Sequence, residues 1–379
     1  MMDSVIHAGS SALYLTAAMG WQILWGLVFG FLLSSIIDVL VSKAELQRLM
    51  PDDSVASITR ASLFGAASSS CSYAAVAIAR SIFRKGGNFT VAIAFELAST
   101  NLVIELGILL VVLMGWSFAA AEFIGGPMMI MIMVILFRLF LRPKMIQAAR
   151  QQAEKGLIGV MEGHAEMAMG SKQGSWKERL TSNAGWTEIS HYFIMNWRML
   201  WKDIAIGLVI SGTLGALVPA SVWQCLFFSN DPTLSKIWGP LIGPLIAIAS
   251  FTCSIGNVPL AAVLWNGGIS FGGIVAFIFG DLIVIPILNI YRKYYGAPMS
   301  LFLFVTLYLS MVLAAFGIEI LFSAANWIPE ARKFNVEHAA FSWNYTTVLN
   351  IVALILVSWL YARYRLTCKP NKIKHHCEK

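Results

Sequence analysis

Long apolar runs separated by short polar breaks make up most of the chain. Runs near 18–42, 59–82, 88–115, 118–141, 203–225, 237–264, 270–290, 299–323 and 344–362 are each about as long as a helix must be to cross the hydrocarbon. The pattern therefore predicts an all-α polytopic membrane protein with about nine transmembrane helices, arranged as four plus five. Trp21, Trp25, Trp116, Trp201, Trp223, Trp238 and Trp343 fall near the ends of these runs, where interfacial aromatics sit. One long polar stretch interrupts the series. Within it, GWTEISHYFIMNWRML at 185–200 mixes aromatic and polar residues and predicts an amphipathic helix lying on the membrane surface.

The runs repeat. GAASSSCSYAAVAIARSIFRKGGNFTVAIAFELAS around Cys71 and AIASFTCSIGNVPLAAVLWNGGISFGGIVAFIFGD around Cys253 follow the same order. Each passes from small residues through Cys-Ser to an Ala-rich stretch, a Gly-Gly turn, Ala-Phe and an acid. WGLVFGFLLSSIID from Trp25 resembles IGLVISGTLGALVP from Ile206, so the likeness reaches back to the first helix of each half. The division expected is a first membrane repeat at 1–141, a linker at 142–202, a second repeat at 203–325, and an extra helix with a basic tail at 326–379. Parallel and inverted repeats are both open at this stage.

Charge orients the chain. Between 142 and 200 there are 8 Lys and Arg, which places the linker in the cytoplasm. Arg80, Arg84 and Lys85 belong on the same side, and an even number of spans would put the amino terminus there too. The basic carboxyl end YARYRLTCKPNKIKHHCEK also belongs inside, yet nine full spans would leave it outside. One segment must then be re-entrant or split, and the Cys-bearing runs, interrupted by Gly, Ser and Pro, are the natural suspects.

Composition supports the class: 58% of the 379 residues are hydrophobic and 12% charged, against roughly 25% charged in soluble domains. The net charge of +7 fits basic loops facing the cytoplasm, not nucleic-acid binding. The amino terminus has no Lys or Arg before its apolar stretch and does not resemble a removable signal.

Chemistry concentrates in the repeated segments. A thiol at equivalent depth in each half, Cys71 and Cys253, suits a soft metal or metalloid solute. Ser72, Ser254, Asn257 and Asn101 are the neighbouring polar candidates for substrate binding. Gly65, Ser68, Ser69, Ser70, Gly256 and Pro259 loosen the helix near mid-bilayer, which is tolerated where backbone is buried or lines a cavity. Glu96, Glu105 and Asp281 are the candidates for proton coupling, since intramembrane acids are costly and mark pathways. Asp38, Glu122 and Glu319 lie nearer span ends, where capping or snorkelling explains them. Small residues packing two helices, and thiols filling that contact, are the competing account of the whole cluster. No Walker A, GxGxxG, HExxH or GxSxG motif occurs, so nothing supports an ATP-driven pump or a hydrolase, and no cofactor or resident metal is implied.

At TCSIGNVPLAAVLWNGG and AFELASTNLVIELG the chain resembles a family of bacterial predicted permeases that includes the ArsP-type organoarsenical efflux permeases. The likeness covers roughly 20–140 and 203–325. It implies export of a trivalent organoarsenical such as methylarsenite without an ATPase, and the two-halves reading adds alternating access with the halves rocking about the Cys hairpins. Some relatives carry Cys-x-Cys or Cys-Cys where this chain has Cys-Ser, which argues against copper or zinc. The partners implied are a small-molecule substrate, the lipid bilayer and a possible homo-oligomer. A thiol–disulfide oxidoreductase using Cys71 and Cys253, and an uptake permease for a sulfur-containing anion, are the alternatives.

Overall fold

The computed structural model describes residues 2–40, 52–68, 72–84, 86–154, 180, 182–228, 231–250, 254–330 and 345–367. Ser69, Ser70, Cys71, Lys85, Cys253, Trp343 and the basic tail from 368 onward lie outside the described residues, as does the side chain of Asp38. Every regular element described is helical. The first half comprises α1 (Met2–Leu40), α2 (Val55–Ser68), α3 (Ser72–Arg84), α4 (Phe89–Asn101), α5 (Ile104–Met114) and α6 (Trp116–Phe140), and α7 (Pro143–Glu154) opens the linker. The second half comprises α8 (Asn183–Leu217), a short α9 (Ala220–Phe227), α10 (Pro232–Ser250), α11 (Ser254–Asn266), α12 (Phe271–Phe279), a 3-10 turn (Gly280–Ile283), α13 (Ile285–Tyr295) and α14 (Ala297–Ala324). Then α15 (Tyr345–Thr367) closes the described chain.

The halves share one sequence of backbone events. Helices α3 and α11 have 13 residues each, and α5 and α13 have 11 each. Gly86 (φ 97) and Gly268 (φ 100) make the turns that follow α3 and α11, while Gly115 (φ 90) and Gly296 (φ 90) separate α5 from α6 and α13 from α14. These are left-handed positions that only glycine adopts without strain.

The two series run in opposite directions across the bundle. On one face, the linker face, Arg138 at the end of α6 pairs with Asp53 just before α2 at 3.3 Å. There Phe83, Phe89, Phe137, Tyr295 and Phe302 form a ring cluster joining the ends of α3, α6 and α13 to the starts of α4 and α14. On the opposite face Phe118 meets Trp265 (5.2 Å between centroids), Phe271 meets Phe322 (5.2 Å) and Trp116 meets Trp327 (5.7 Å). The turn after α3 therefore lies at the linker face and the turn after α11 at the other. This is an inverted repeat.

The Cys-bearing segments do not cross. A Cβ at Gly65 would meet the Phe95 carbonyl and the Ser99 amide, so α2 runs beside α4 and in the same direction. Gly239 abuts Ser270, Gly243 abuts Gly273, and Gly280 abuts Pro244 and Ala247, so α10 runs beside α12 in the same way. With α3 and α11 returning, α2–α3 and α10–α11 are re-entrant hairpins entering from opposite faces. Small residues let their arms bury against protein, where a broken helix is tolerated.

Six helices among the described residues are long and apolar enough to span, and a seventh span arises if the pair bent by 42° at Ile283/Ile285 counts as one. Packing revises that set: α10 is a hairpin arm, while α8 lies antiparallel along α1, from Asn196 near Ser35 (3.5 Å) to Leu208 near Thr16 (3.4 Å). The crossings are α1, α4–α5, α6, α8, α12–α13, α14 and α15, so the nine expected spans become seven crossings and two hairpins.

Three expectations change accordingly. Gly26 of α1 packs on Ile108 and Leu109 and Gly30 on Glu105, so α1 descends against the rising α5 and begins at the face opposite the linker. The amino terminus and α7 therefore lie on different sides. Asn350 of α15 bonds to the Trp21 carbonyl (2.7 Å) and the Trp25 amide (2.9 Å), and Arg363 to the Asn183 carbonyl (3.0 Å), so α15 ends at the linker face. The parity conflict at the carboxyl end disappears. Finally, 185–200 is not a separate surface helix but the first part of the 35-residue α8. Its aromatic residues pack inward, Trp197 on Phe31 and Trp186 on Trp359.

Helices α1, α8 and α15 pack on one another and form a flank. The hairpins and the remaining crossings form the core, which meets the flank along α1–α5 and α8–α11. At the linker face α7 clasps the first hairpin: Arg80 donates to the Ala153 carbonyl (2.8 Å), and Arg150 to the carbonyls of Phe83 (3.1 Å) and Gly87 (3.2 Å).

A cysteine at Ser10 should react with an impermeant maleimide from one side of the membrane, and cysteines at Gln147 and Arg365 only from the other. Reaction of all three from one side would refute the inverted arrangement. A side chain at Gly207 would overlap the Gly256 carbonyl, whereas Gly9 has open space around it. Gly207→Val should therefore cost about 1–3 kcal/mol and lower the melting temperature in detergent, and Gly9→Val should leave it unchanged.

Candidate functional site

Each half has a crossing that breaks at mid-course. Helix α4 ends at Asn101 and α5 starts after Val103, which is extended (φ −95, ψ 143). Helix α12 tightens into the 3-10 turn and α13 starts after Val284 (φ −64, ψ 149). Such breaks release backbone groups from the helix ladder and, beside the hairpins, build the kind of interior site that transporters use.

The hairpins meet at one carboxylate. Asp281, in the 3-10 turn, is fully buried, and its Oδ2 accepts hydrogen bonds from Ser72 Oγ (2.7 Å) and Ser254 Oγ (2.9 Å). Ser72 begins the returning arm of the first hairpin, and Ser254 begins that of the second. The sequence likeness had aligned these two serines, and the fold joins them through a shared acceptor. Cys71 and Cys253, outside the described residues, are their immediate neighbours in the chain.

Around this bridge, Asn257 Oδ1 accepts from Ser250 Oγ (3.0 Å), tying the arms of the second hairpin. Asn101, buried at the first break, donates to the Leu97 carbonyl (3.3 Å) and to Thr100 Oγ1 (3.2 Å). Its Oδ1 has no hydrogen-bond partner among the described residues. Glu96 Oε1 accepts from Tyr291 Oη of α13, linking the halves a second time, while its Oε2 is unpartnered among the described residues. Glu105 stands apart, where α5 meets Gly30 of α1.

The remaining acids divide. Glu319 accepts from the Gly272 amide at the start of α12, a helix-capping role of the kind expected. Glu122 neither caps nor snorkels: it is 1% exposed, and the reason is its place on α6, one turn before Gly125 and Gly126, which pack on Phe279 and Leu102. Arg80 likewise is no turn residue. It is fully buried, with its guanidinium 4.2 Å from the centre of the Tyr294 ring. No three His, Cys, Asp or Glu among the described residues converge closely enough to hold a metal ion.

Residues 9–320 match the model of a family described as "Predicted permease". The chain belongs to that family. It is also 56% identical over 326 residues, 86% of this chain and 80% of the relative, to a Mycobacterium tuberculosis (strain ATCC 25618 / H37Rv) protein named "Putative permease Rv2963". No solved structure matches the chain. The family points to membrane transport rather than catalysis, and the broken crossings with two opposed hairpins suit a permease.

Sequence reasoning singled out Ser72, Ser254 and Asp281 without their connection; it did not name Tyr291, and it set Glu122 aside as a capping or snorkelling residue. The Gly125-Gly126 pair was the available signal for Glu122, since it lets a neighbouring helix approach the face that carries the acid.

Asp281→Ala should leave two buried hydroxyls without their acceptor and cost about 1–3 kcal/mol, read as a lower melting temperature of the purified permease. Asp281→Asn retains an acceptor and should lower stability less. Equal stability of Asp281→Ala and the unaltered chain would show that the bridge contributes nothing.

Proposed function

We propose that this permease exports a thiophilic small solute, a trivalent organoarsenical such as methylarsenite, across the bacterial inner membrane. The observation that carries the reading is the shared Asp281 acceptor, which brings together the two residues that follow Cys71 and Cys253 in the chain. A monomethylated trivalent arsenic has two exchangeable ligands, and one thiol from each hairpin would supply both. Ser72, Ser254, Asn257 and Asn101 would line the same place.

The basic residues of the linker face favour its assignment to the cytoplasm, with the start of α1 outside. The halves interleave, through α3 against α13 and α5 against α11, so they are poor candidates for bodies that rock apart. Alternating access is better served by movement of the hairpin core against the flank of α1, α8 and α15. Inward proton flow through Glu96 and Asp281 would drive export, with Glu105 placed at the moving boundary.

Cys71→Ser and Cys253→Ser keep size and polarity but remove the soft donor. Each should abolish methylarsenite accumulation in everted vesicles at normal membrane abundance, and the double variant should be little worse than either, as for groups acting as a unit. Full accumulation by the double variant would reject thiol binding. Accumulation of arsenite or thiosulfate in place of methylarsenite would reject the organoarsenical.

A further inference from the structure

Glu122 is the described acid whose position the fold leaves without a structural purpose. Both of its carboxyl oxygens are buried with no hydrogen-bond partner among the described residues. Removing a carboxylate from water without compensation is among the costliest events in folding, so a neutral acid is the form this site can hold at rest. A carboxyl used for packing alone would serve less well than Gln or Leu.

Its surroundings give it a direction. Glu122 precedes Gly125 and Gly126 by three and four residues, so all three share one face of α6. Gly126 packs on Leu102, the residue after Asn101 at the first helix break, and Gly125 packs on Phe279, two residues before Asp281 at the second. Glu122 therefore looks toward the place where both breaks approach α6. Among acids on the neighbouring helices, Glu319 is engaged by the Gly272 amide and Glu96 by Tyr291, while Glu105 lies against α1. Asp281 is the acid that the contact of Gly125 with Phe279, two residues before it, brings toward this face of α6. Two acids that influence each other across a low-dielectric interior do not both ionise readily.

We infer that Glu122 is a proton-carrying site of the transport cycle, loaded when Asp281 is ionised and engaged with the hairpin serines. This rests on the transporter reading above. Glu122 binds one proton from the outer side as a carboxylate and releases one proton to the inner side from the carboxylic acid. When movement of the hairpin core against the flank changes the hydrogen bonds that Asp281 receives from its serines, its charge no longer opposes ionisation of Glu122 in the same way. Solute movement and proton release are thereby linked.

Glu122→Gln preserves shape and neutrality but cannot release a proton. In the purified permease, infrared difference spectra across a pH titration should show a protonated-carboxyl band that Glu122→Gln lacks and Glu319→Gln retains. In proteoliposomes supplied with methylarsenite, Glu122→Gln should keep solute–solute exchange near the unaltered rate while pH-driven accumulation falls at least tenfold. Retention of the whole band, or of pH-driven accumulation, overturns the inference. So does accumulation driven by a sodium gradient and lost in Glu122→Gln, which would make the site one for a hard cation. Failure of the unaltered permease to move methylarsenite would count against the solute, and the infrared comparison would still decide the role of Glu122.

Discussion

A buried carboxyl group at the meeting point of two hairpins sets the terms for the rest of this molecule. Asp281 stands in an apolar interior where an unsatisfied oxygen costs free energy, and its Oδ2 is satisfied by hydroxyls from two segments far apart in the chain. Those hydroxyls can reach it only if each hairpin stops at mid-depth. Each hairpin can stop there only if its arms lie against protein, and the small residues at Gly65, Gly239 and Gly243 permit that approach. The close glycine contacts and the polar centre are thus parts of one solution.

The inverted arrangement explains why the same design is written twice. Two copies entering from opposite faces bring Ser72 and Ser254, the first described residues of their returning arms, to one acceptor, whereas two parallel copies would place their turns at the same surface. The copies are not chemically equal. Asp281 has Ser99 at the equivalent position of the first half, and Glu96 has Ile278 of the second, each 182 residues away, the interval that separates Ser72 from Ser254. One acid from each half remains, and each reaches across: Asp281 to Ser72, and Glu96 to Tyr291.

Much of the fold was legible in the chain. Apolar runs marked the helices, and the Cys-Ser and Gly-Gly signatures marked the repeated hairpins. The conflict over the carboxyl end pointed to the very segments that turn back. What failed was the distinction between a run that crosses and a run that returns, because 237–264 is apolar enough for either. Only the contacts of Gly239 and Gly243 decide it. For the same reason parity put the amino terminus and the linker on one side, whereas the packing of α1 on α5 sets them at different faces. In the site, Ser72, Ser254 and Asp281 were visible as residues, but a bond between positions 209 residues apart leaves no local pattern. Glu122 was discounted for its nearness to a span end, a one-dimensional measure that ignores which neighbours cover it.

The clasp of α7 breaks the symmetry that the repeat establishes. Arg80, which holds the end of α7, has Ala262 at the equivalent place in the second hairpin. A perfectly two-fold machine would face identical barriers at its two surfaces and would run equally fast either way under a given gradient. Here the first hairpin is fastened to the linker, while the second ends on the aromatic contact of Trp265 with Phe118. The two half-cycles therefore need not share a rate. Thermodynamics would still assign the direction of net flow to the gradients, and the difference between the two faces lies in a single helix that belongs to neither repeat.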